Sequence, residues 1–212
     1  MPGRGAMTRI NPDTLFETEL WNSGLKHVAG LDEAGRGALA GPVSVGAVIL
    51  PNDPPLLTSA LAGARDSKQM TPPQRERLAD QIRKVALHWS VGFASAEEID
   101  LQGIVRATRL AALRALHQFP ILPQYLLTDF RLELPQLAIS QTSLVKGDAH
   151  CLSIACASIL AKTERDAILR ELGTRHPGYG LEKHKGYGTQ AHRSALKRLG
   201  FSSVHRKTFQ VK

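Results

Sequence analysis

Residues 27–43 read HVAGLDEAGRGALAGPV. The short apolar stretch Val28–Leu31 has strand character and ends on two adjacent carboxylates, Asp32 and Glu33. The chain then passes at once into a glycine loop around one arginine, Gly35-Arg36-Gly37. Adjacent acids at a strand end, followed by backbone free to approach a ligand, suit a hard divalent cation held beside a phosphate. In a regular strand Asp32 and Glu33 point to opposite faces, so both reach one ion only if the strand ends or bulges there. The glycine at 35 makes that feasible.

Outward from this corner, Val43–Leu50 (VSVGAVIL) is an apolar, β-branched run stopped by Pro51, a second strand. A loop follows to Asp66-Ser67-Lys68. Thr71-Pro-Pro-Gln74 opens a helix with a capping box and proline in its first turn. Trp89–Ala94 alternates and reads as a third strand, and Ser95-Ala-Glu-Glu98 is a second capping box. A helix is expected over 104–117, a fourth strand over Tyr125–Thr128 delivering Asp129, and a fifth over Ser143–Lys146. Gly147-Asp148 then turns into a long helix from Ala149 to Leu172, and Thr189 caps a last helix ended by Gly200. Residues 1–22 read as a tail and a short helix, with Met7 an alternative start. Residues 23–212 read as one domain, α/β in class, whose mixed five-stranded sheet is flanked by helices and followed by a C-terminal helical segment.

A chain of 212 residues that is 42% hydrophobic can bury one substantial core. No apolar run approaches the ~20 residues of a membrane span, and no h-region for a signal peptide is present. Cys151 and Cys156 are poorly spaced to pair and form no zinc motif. A reduced, cytoplasmic protein is expected. The net charge of +8 lies wholly in residues 162–212, where twelve Lys/Arg face four Asp/Glu. Together with His176, His184, His192 and His205, that segment is a candidate phosphate-backbone footprint. A solvated basic face is the plainer alternative.

Asp32 and Glu33, Asp129 and Asp148 close three different strands. If those strands are neighbours, four carboxylates share one sheet edge and require cations to stay ionised together. Oxygen-only ligands favour Mg²⁺ or Mn²⁺, and two such ions could activate a water and stabilise the leaving oxygen of a phosphodiester. Taken singly, a strand-end Asp is an ordinary cap or turn residue. For Asp148, ahead of a long helix, both roles are compatible. The bare backbone of Gly35-Arg36-Gly37 could touch a sugar or phosphate, and a site that bonds a 2′-hydroxyl distinguishes RNA from DNA. His184-Lys-Gly-Tyr-Gly-Thr189 is a second such loop, with Tyr187 placed to stack on a sugar or base. A buried loop anchor is the other reading of that tyrosine.

From Val28 to Phe209 the chain resembles bacterial type 2 ribonuclease H. The resemblance rests on Asp32–Gly37 with Leu39–Val43, Asp66-Ser67-Lys68 and Val145–Asp148. It continues through Ser153–Ala155, Ala157–Lys162 with Arg165-Asp166, His184–Tyr187, and His205-Arg206. It implies a ribonuclease H-like fold and metal-dependent cleavage of the RNA strand of RNA–DNA hybrids. It also implies nicking 5′ of single ribonucleotides in duplex DNA, leaving 3′-hydroxyl and 5′-phosphate ends. Asp32, Glu33, Asp129 and Asp148 match the family's metal-binding acids, and Gly35, Arg36 and Gly37 its 2′-hydroxyl loop. Tyr187 matches the tyrosine that packs on the deoxyribose after the junction; Lys68, Lys146 and Lys185 complete the expected substrate-binding set. One departure is Phe130, where the family usually has glycine after its third acid; Glu133 is the alternative acid. The type 3 enzymes differ in their glycine loop and carry an added N-terminal domain, so type 2 is the better match. A monomer is expected, and a hybrid-binding module without catalysis is the competing class.

Overall fold

The structure, a computed structural model, describes residues 11–64, 67–130 and 132–210. The tail with Met7, and Asp66, lie outside the described residues. Helix α1 is Leu15–Asn22; strands β1 (Val28–Ala34) and β2 (Val43–Ile49) follow. Then come α2 (Pro54–Ala60), a 3₁₀ turn at Ser67–Gln69, α3 (Pro72–Val85), β3 (His88–Ala94), α4 (Ala96–Gln102) and α5 (Ile104–Leu116). The remaining elements are β4 (Tyr125–Asp129), β5 (Ser140–Leu144), α6 (Gly147–His150), α7 (Leu152–Arg175), α8 (Leu181–His184) and α9 (Gln190–Leu199).

The strands form one mixed sheet in the order β3-β2-β1-β4-β5. β1 is antiparallel to β2 and parallel to β4, and β4 is parallel to β5. The long helix α7 covers one face and α5 the other. Residues 152–161 of α7 are buried on every side, the pattern of a helix sunk into a core. Its close seat depends on glycine: a Cβ at Gly30 would lie 2.3 Å from the Ser153 carbonyl carbon, and one at Gly46 2.2 Å from the Ala157 oxygen.

Three expectations are corrected. Helix α2 replaces part of the expected loop, because Asp53 accepts a hydrogen bond from Leu56 N at 3.0 Å and prolines fill its first turn. Strand β5 runs three residues earlier than 143, on the polar sequence SQTSL whose weak apolar signal hid it, and Lys146 leaves the strand in a left-handed conformation (φ 54°). The long helix starts at Leu152, because Cys151 is extended between it and α6. Both cysteines are free and buried.

Helix α1 docks on the head of α7 through Glu17. This fully buried carboxylate accepts hydrogen bonds from Ser153 N at 2.7 Å and from the Cys151 thiol at 3.1 Å. A carboxylate there also faces the positive end of a 24-residue helix. Glu17→Ala is expected to cost about 2–3 kcal/mol by leaving those donors unpaired, and Glu17→Gln less. Thermal melts of the two variants check the order.

Candidate active site

The sheet brings the acids together at the C-terminal edge of its parallel strands. The β1–β4 pairing ends at Leu31 opposite Thr128, so Asp32 and Asp129 are the next residues on adjacent strands. Asp129 pairs with Leu144 of β5, and Asp148 follows in the first turn of α6. Asp32 is 5% exposed. Burial pushes its carboxyl well above the usual range, and the charges of Glu33, Asp129 and Asp148 add to the shift; the Ser158 hydroxyl opposes it. Glu33 is also raised, chiefly by burial, with Asp129 adding, while Arg36 and Lys68 pull it down. All four acids thus act on one small region.

They do not form a closed cage. β1 neither ends nor bulges after Leu31; it continues in register with β2 through Ala34, so Asp32 and Glu33 leave opposite faces. Each is held separately: Asp32 Oδ1 accepts Glu33 N at 2.7 Å, Asp129 Oδ1 accepts Gly147 N at 2.7 Å, and Arg36 lies 3.5 Å from Glu33 Oε1. Among the described residues no three Asp, Glu, His or Cys side chains stand close enough to enclose one ion. The acids therefore share one sheet edge without enclosing an ion among the described residues. The donor set still fits a divalent cation. It is all carboxylate oxygen, mutually repelling, and Glu33 Oε2 is buried without a hydrogen-bond partner.

Phe130 is 49% exposed and turns its bulk outward. Its φ is not positive, so the glycine usual there is not required by the backbone. Glu133 is exposed, and it is Asp129 whose charge is felt at Asp32 and Glu33.

The glycine loop is fixed from behind by two buried arginines. Arg165 of α7 donates to the carbonyls of Pro42 (2.8 Å), Lys185 (3.0 Å) and Ala40 (3.1 Å). Arg206 donates twice to Gly41 O and once to Arg36 O, at 2.8–3.0 Å. Burial lowers both guanidinium pKa values, Arg206 to about 9. Leu39 N donates to Gly186 O and Arg206 N to Leu39 O, each at 2.8 Å, so the two glycine loops are stitched together. Gly35 is explained by this packing: its φ is +88°, and a Cβ would sit 1.9 Å from Arg165 Nε. Gly37 is not: it is exposed, its φ is ordinary, and nothing lies within 4 Å of a Cβ there.

Tyr187 is half-buried, with Lys162 Nζ and Arg165 Cζ each 5.4 Å from its ring centre. It is neither a fully buried anchor nor fully exposed. Lys68 lies near enough to lower Glu33. Lys146 is exposed two residues before Asp148. Lys185 turns its ammonium back onto the Glu182 carbonyl, so it is the expected binding residue least directed outward.

Sequence reading did not assign roles to the polar residues of α7. Ser158, which bonds Asp32, lies 3.0 Å from Ser67 Oγ. Arg75 donates to the Ser67 and Met70 carbonyls and pairs with buried Asp166 at 3.2 Å. Lys162 pairs with the same Asp166 at 2.6 Å. Ser158, Lys162 and Asp166 recur every four residues along one side of α7, and that spacing was the available signal.

Comparisons with known proteins match the chain's sequence and fold. The family model of ribonuclease HII matches residues 29–212. A ribonuclease HII of Dehalococcoides mccartyi is 48% identical over 200 residues, spanning 94% of this chain and 93% of its own. The ribonuclease H2 structure from Pyrococcus horikoshii superposes with a TM-score of 0.71 at 26% identity, covering 87% of this chain and 94% of that one. The Archaeoglobus fulgidus structure of a PCNA:RNase HII complex gives 0.73 at 27% identity, covering 88% and 96%. No helix among the described residues is long and apolar enough to cross a membrane. The chain belongs to the ribonuclease HII family and is an endoribonuclease of the ribonuclease H type.

Proposed function

We propose that the chain hydrolyses the RNA strand of RNA–DNA hybrids and nicks duplex DNA 5′ of single embedded ribonucleotides, leaving 3′-hydroxyl and 5′-phosphate ends. The observation that carries this is the charge of Glu33, Asp129 and Asp148 focused on buried Asp32, beside a glycine loop whose one exposed glycine packs against nothing. Asp32, Glu33, Asp129 and Asp148 would hold Mg²⁺ or Mn²⁺. When bound, such ions supply a water nucleophile at neutral pH and charge stabilisation on the leaving oxygen. The backbone around Arg36 and Gly37, held by Arg206, presents polar groups to a 2′-hydroxyl where a side chain would block approach. Tyr187, half-buried with Lys162 and Arg165 of α7 each 5.4 Å from its ring centre, would offer its exposed part to the sugar beyond the junction. Lys68, Lys146 and the basic C-terminal segment meet phosphates, and a groove of about 610 Å³ beside α9, carrying Lys183 and Arg198, extends that surface. The proposal is completed by a cytoplasmic monomer.

A duplex with one ribonucleotide, incubated with Mg²⁺ or Mn²⁺, should be nicked at that residue. Binding without cleavage in either metal would establish the hybrid-binding module instead. Gly37→Ala is expected to leave the melting temperature unchanged and to reduce nicking about tenfold or more, as a blocked backbone contact should. Tyr187→Ala should raise KM for the ribonucleotide-containing duplex several-fold with little loss of stability, since the ring is only half-buried. An unfolded Tyr187→Ala protein would mark the ring as a core anchor.

A further inference from the structure

The histidines of the basic segment are assembled into one cluster. His192 of α9 is fully buried and His205 is 1% exposed. Their Nε2 atoms are 3.1 Å apart. His184 stacks on His192 with ring centres 4.3 Å apart, and Tyr179 lies 4.6 Å from His205. Two aligned nitrogens at hydrogen-bond distance require one donor and one acceptor.

The surrounding backbone assigns each proton. Ser202 N lies 3.1 Å from His205 Nδ1; an amide only donates, so that nitrogen accepts and neutral His205 carries its hydrogen on Nε2. His192 Nδ1 lies 3.0 Å from the Tyr187 carbonyl; a carbonyl only accepts, so His192 carries its hydrogen on Nδ1 and leaves Nε2 bare. His205 Nε2–H therefore donates to His192 Nε2, and His192 Nδ1–H donates to Tyr187 O. A further proton on either ring would set two hydrogens face to face.

The environment favours the neutral pair. Burial is the first cause lowering both rings, His205 to about 4. His184 from α8 opposes charge on both, and His176 opposes it on His205. Lys162 and Arg165 of α7 flank the Tyr187 ring at the far end of the chain of bonds. The backbone oxygens of Tyr187 and Gly186 and the Ser202 segment pull the other way.

We infer that His205 and His192 form a neutral, directional hydrogen-bond relay that ties the Ser202 turn to the carbonyl of Tyr187, and that both are positioning residues for the Tyr187 ring. The functional half of this rests on the reading that Tyr187 meets substrate; the proton arrangement does not.

Two measurements separate them. Ring-nitrogen NMR of the full chain labelled with ¹⁵N-histidine should show His192 as the Nδ1–H tautomer and His205 as the Nε2–H tautomer. His205 should still be neutral at about pH 5.5, where an ordinary histidine is mostly charged, and His192 should charge only below the ordinary histidine range. The opposite tautomer at either ring, or charging near pH 6.5, overturns the relay. In kinetics, His192→Leu should raise KM for a duplex with one ribonucleotide about fivefold, the scale of one neutral hydrogen bond, with kcat changed less. His192→Asn, whose amide can stand in for Nδ1–H, should recover most of that loss, and His192→Leu should add nothing in a Tyr187→Ala background. Asparagine no better than leucine, or an undiminished loss without Tyr187, overturns the positioning role. If His192→Leu does not fold, His205→Gln replaces it, expected near wild type because its amide can supply the Nε2–H donor. A wild-type chain that binds but does not cut refutes the cleavage reading, and the same comparisons are then made in Kd.

Discussion

Asp32→Asn is expected to lower cleavage by about a thousandfold or more, the scale on which one preorganised electrostatic group acts, while duplex binding persists. The same substitution should make the protein more stable at neutral pH in the presence of a chelator. Asp32 is nearly inaccessible and faces three other acids, so its folded pKa is raised well above the ordinary 3.8. A raised carboxylate is a burden on the fold when ionised and none when protonated. Above its folded pKa the wild type carries the whole cost; below about pH 4, where the carboxyl is protonated in both folded and unfolded chains, it carries none. The stability advantage of the Asp32→Asn variant should therefore vanish towards pH 4 and grow as the pH rises above it. Each kcal/mol corresponds to about 2–4 °C in a chain of this size. Melting curves across that range, with cleavage in Mg²⁺ alongside, test both halves. Near-normal turnover would remove Asp32 from the chemistry, and an unchanged melting temperature at pH 7 would contradict the crowding of the acids.

Arg165→Met should be the most damaging substitution away from the acids, costing about 3–5 kcal/mol, the usual penalty for stranding buried partners of a charge. Its guanidinium satisfies three carbonyls belonging to two separated loops. Methionine fills similar volume but donates nothing, so one buried and two partly buried acceptors lose their partner together. Arg165→Lys should recover little, because an ammonium cannot reach three directions fixed by a planar fork. Urea denaturation gives the stability. Cleavage below the new midpoint should still be reduced more than a hundredfold, because both glycine loops lose a common support. Full activity in a destabilised but folded variant would show that the loops are self-supporting.

Much of this site was legible before any coordinates. Asp32, Glu33 and Asp129 stood out as acids following apolar strand residues, and parallel pairing of β1, β4 and β5 brings those segments side by side, with Asp148 in the turn of α6 that follows β5. Capping signals at Thr71 and Ser95 marked real helix starts; Ser95 and Glu98 exchange bonds at 2.8 and 3.1 Å. Strand β5 was placed late because its residues face a half-buried edge and carry no alternation of polarity. The roles of Arg165, Arg206 and Ser158 were not legible, since they depend on partners more than ninety residues away. Local patterning carries no information about which carbonyl a buried guanidinium will meet.

The stitching of residues 36–41 to residues 185–206 also bears on synthesis. The loop that would read the sugar is translated well before the side chain that secures it, because Arg206 lies 170 residues after Arg36. Acids and helices can assemble while the chain is still growing, but this stitching waits until Arg206 has been made. Closing so long a loop carries its entropic cost near the end of folding. The proposed sugar-reading surface is thereby set later than the sheet that carries it, and Arg206→Leu should leave a folded sheet with an unset loop.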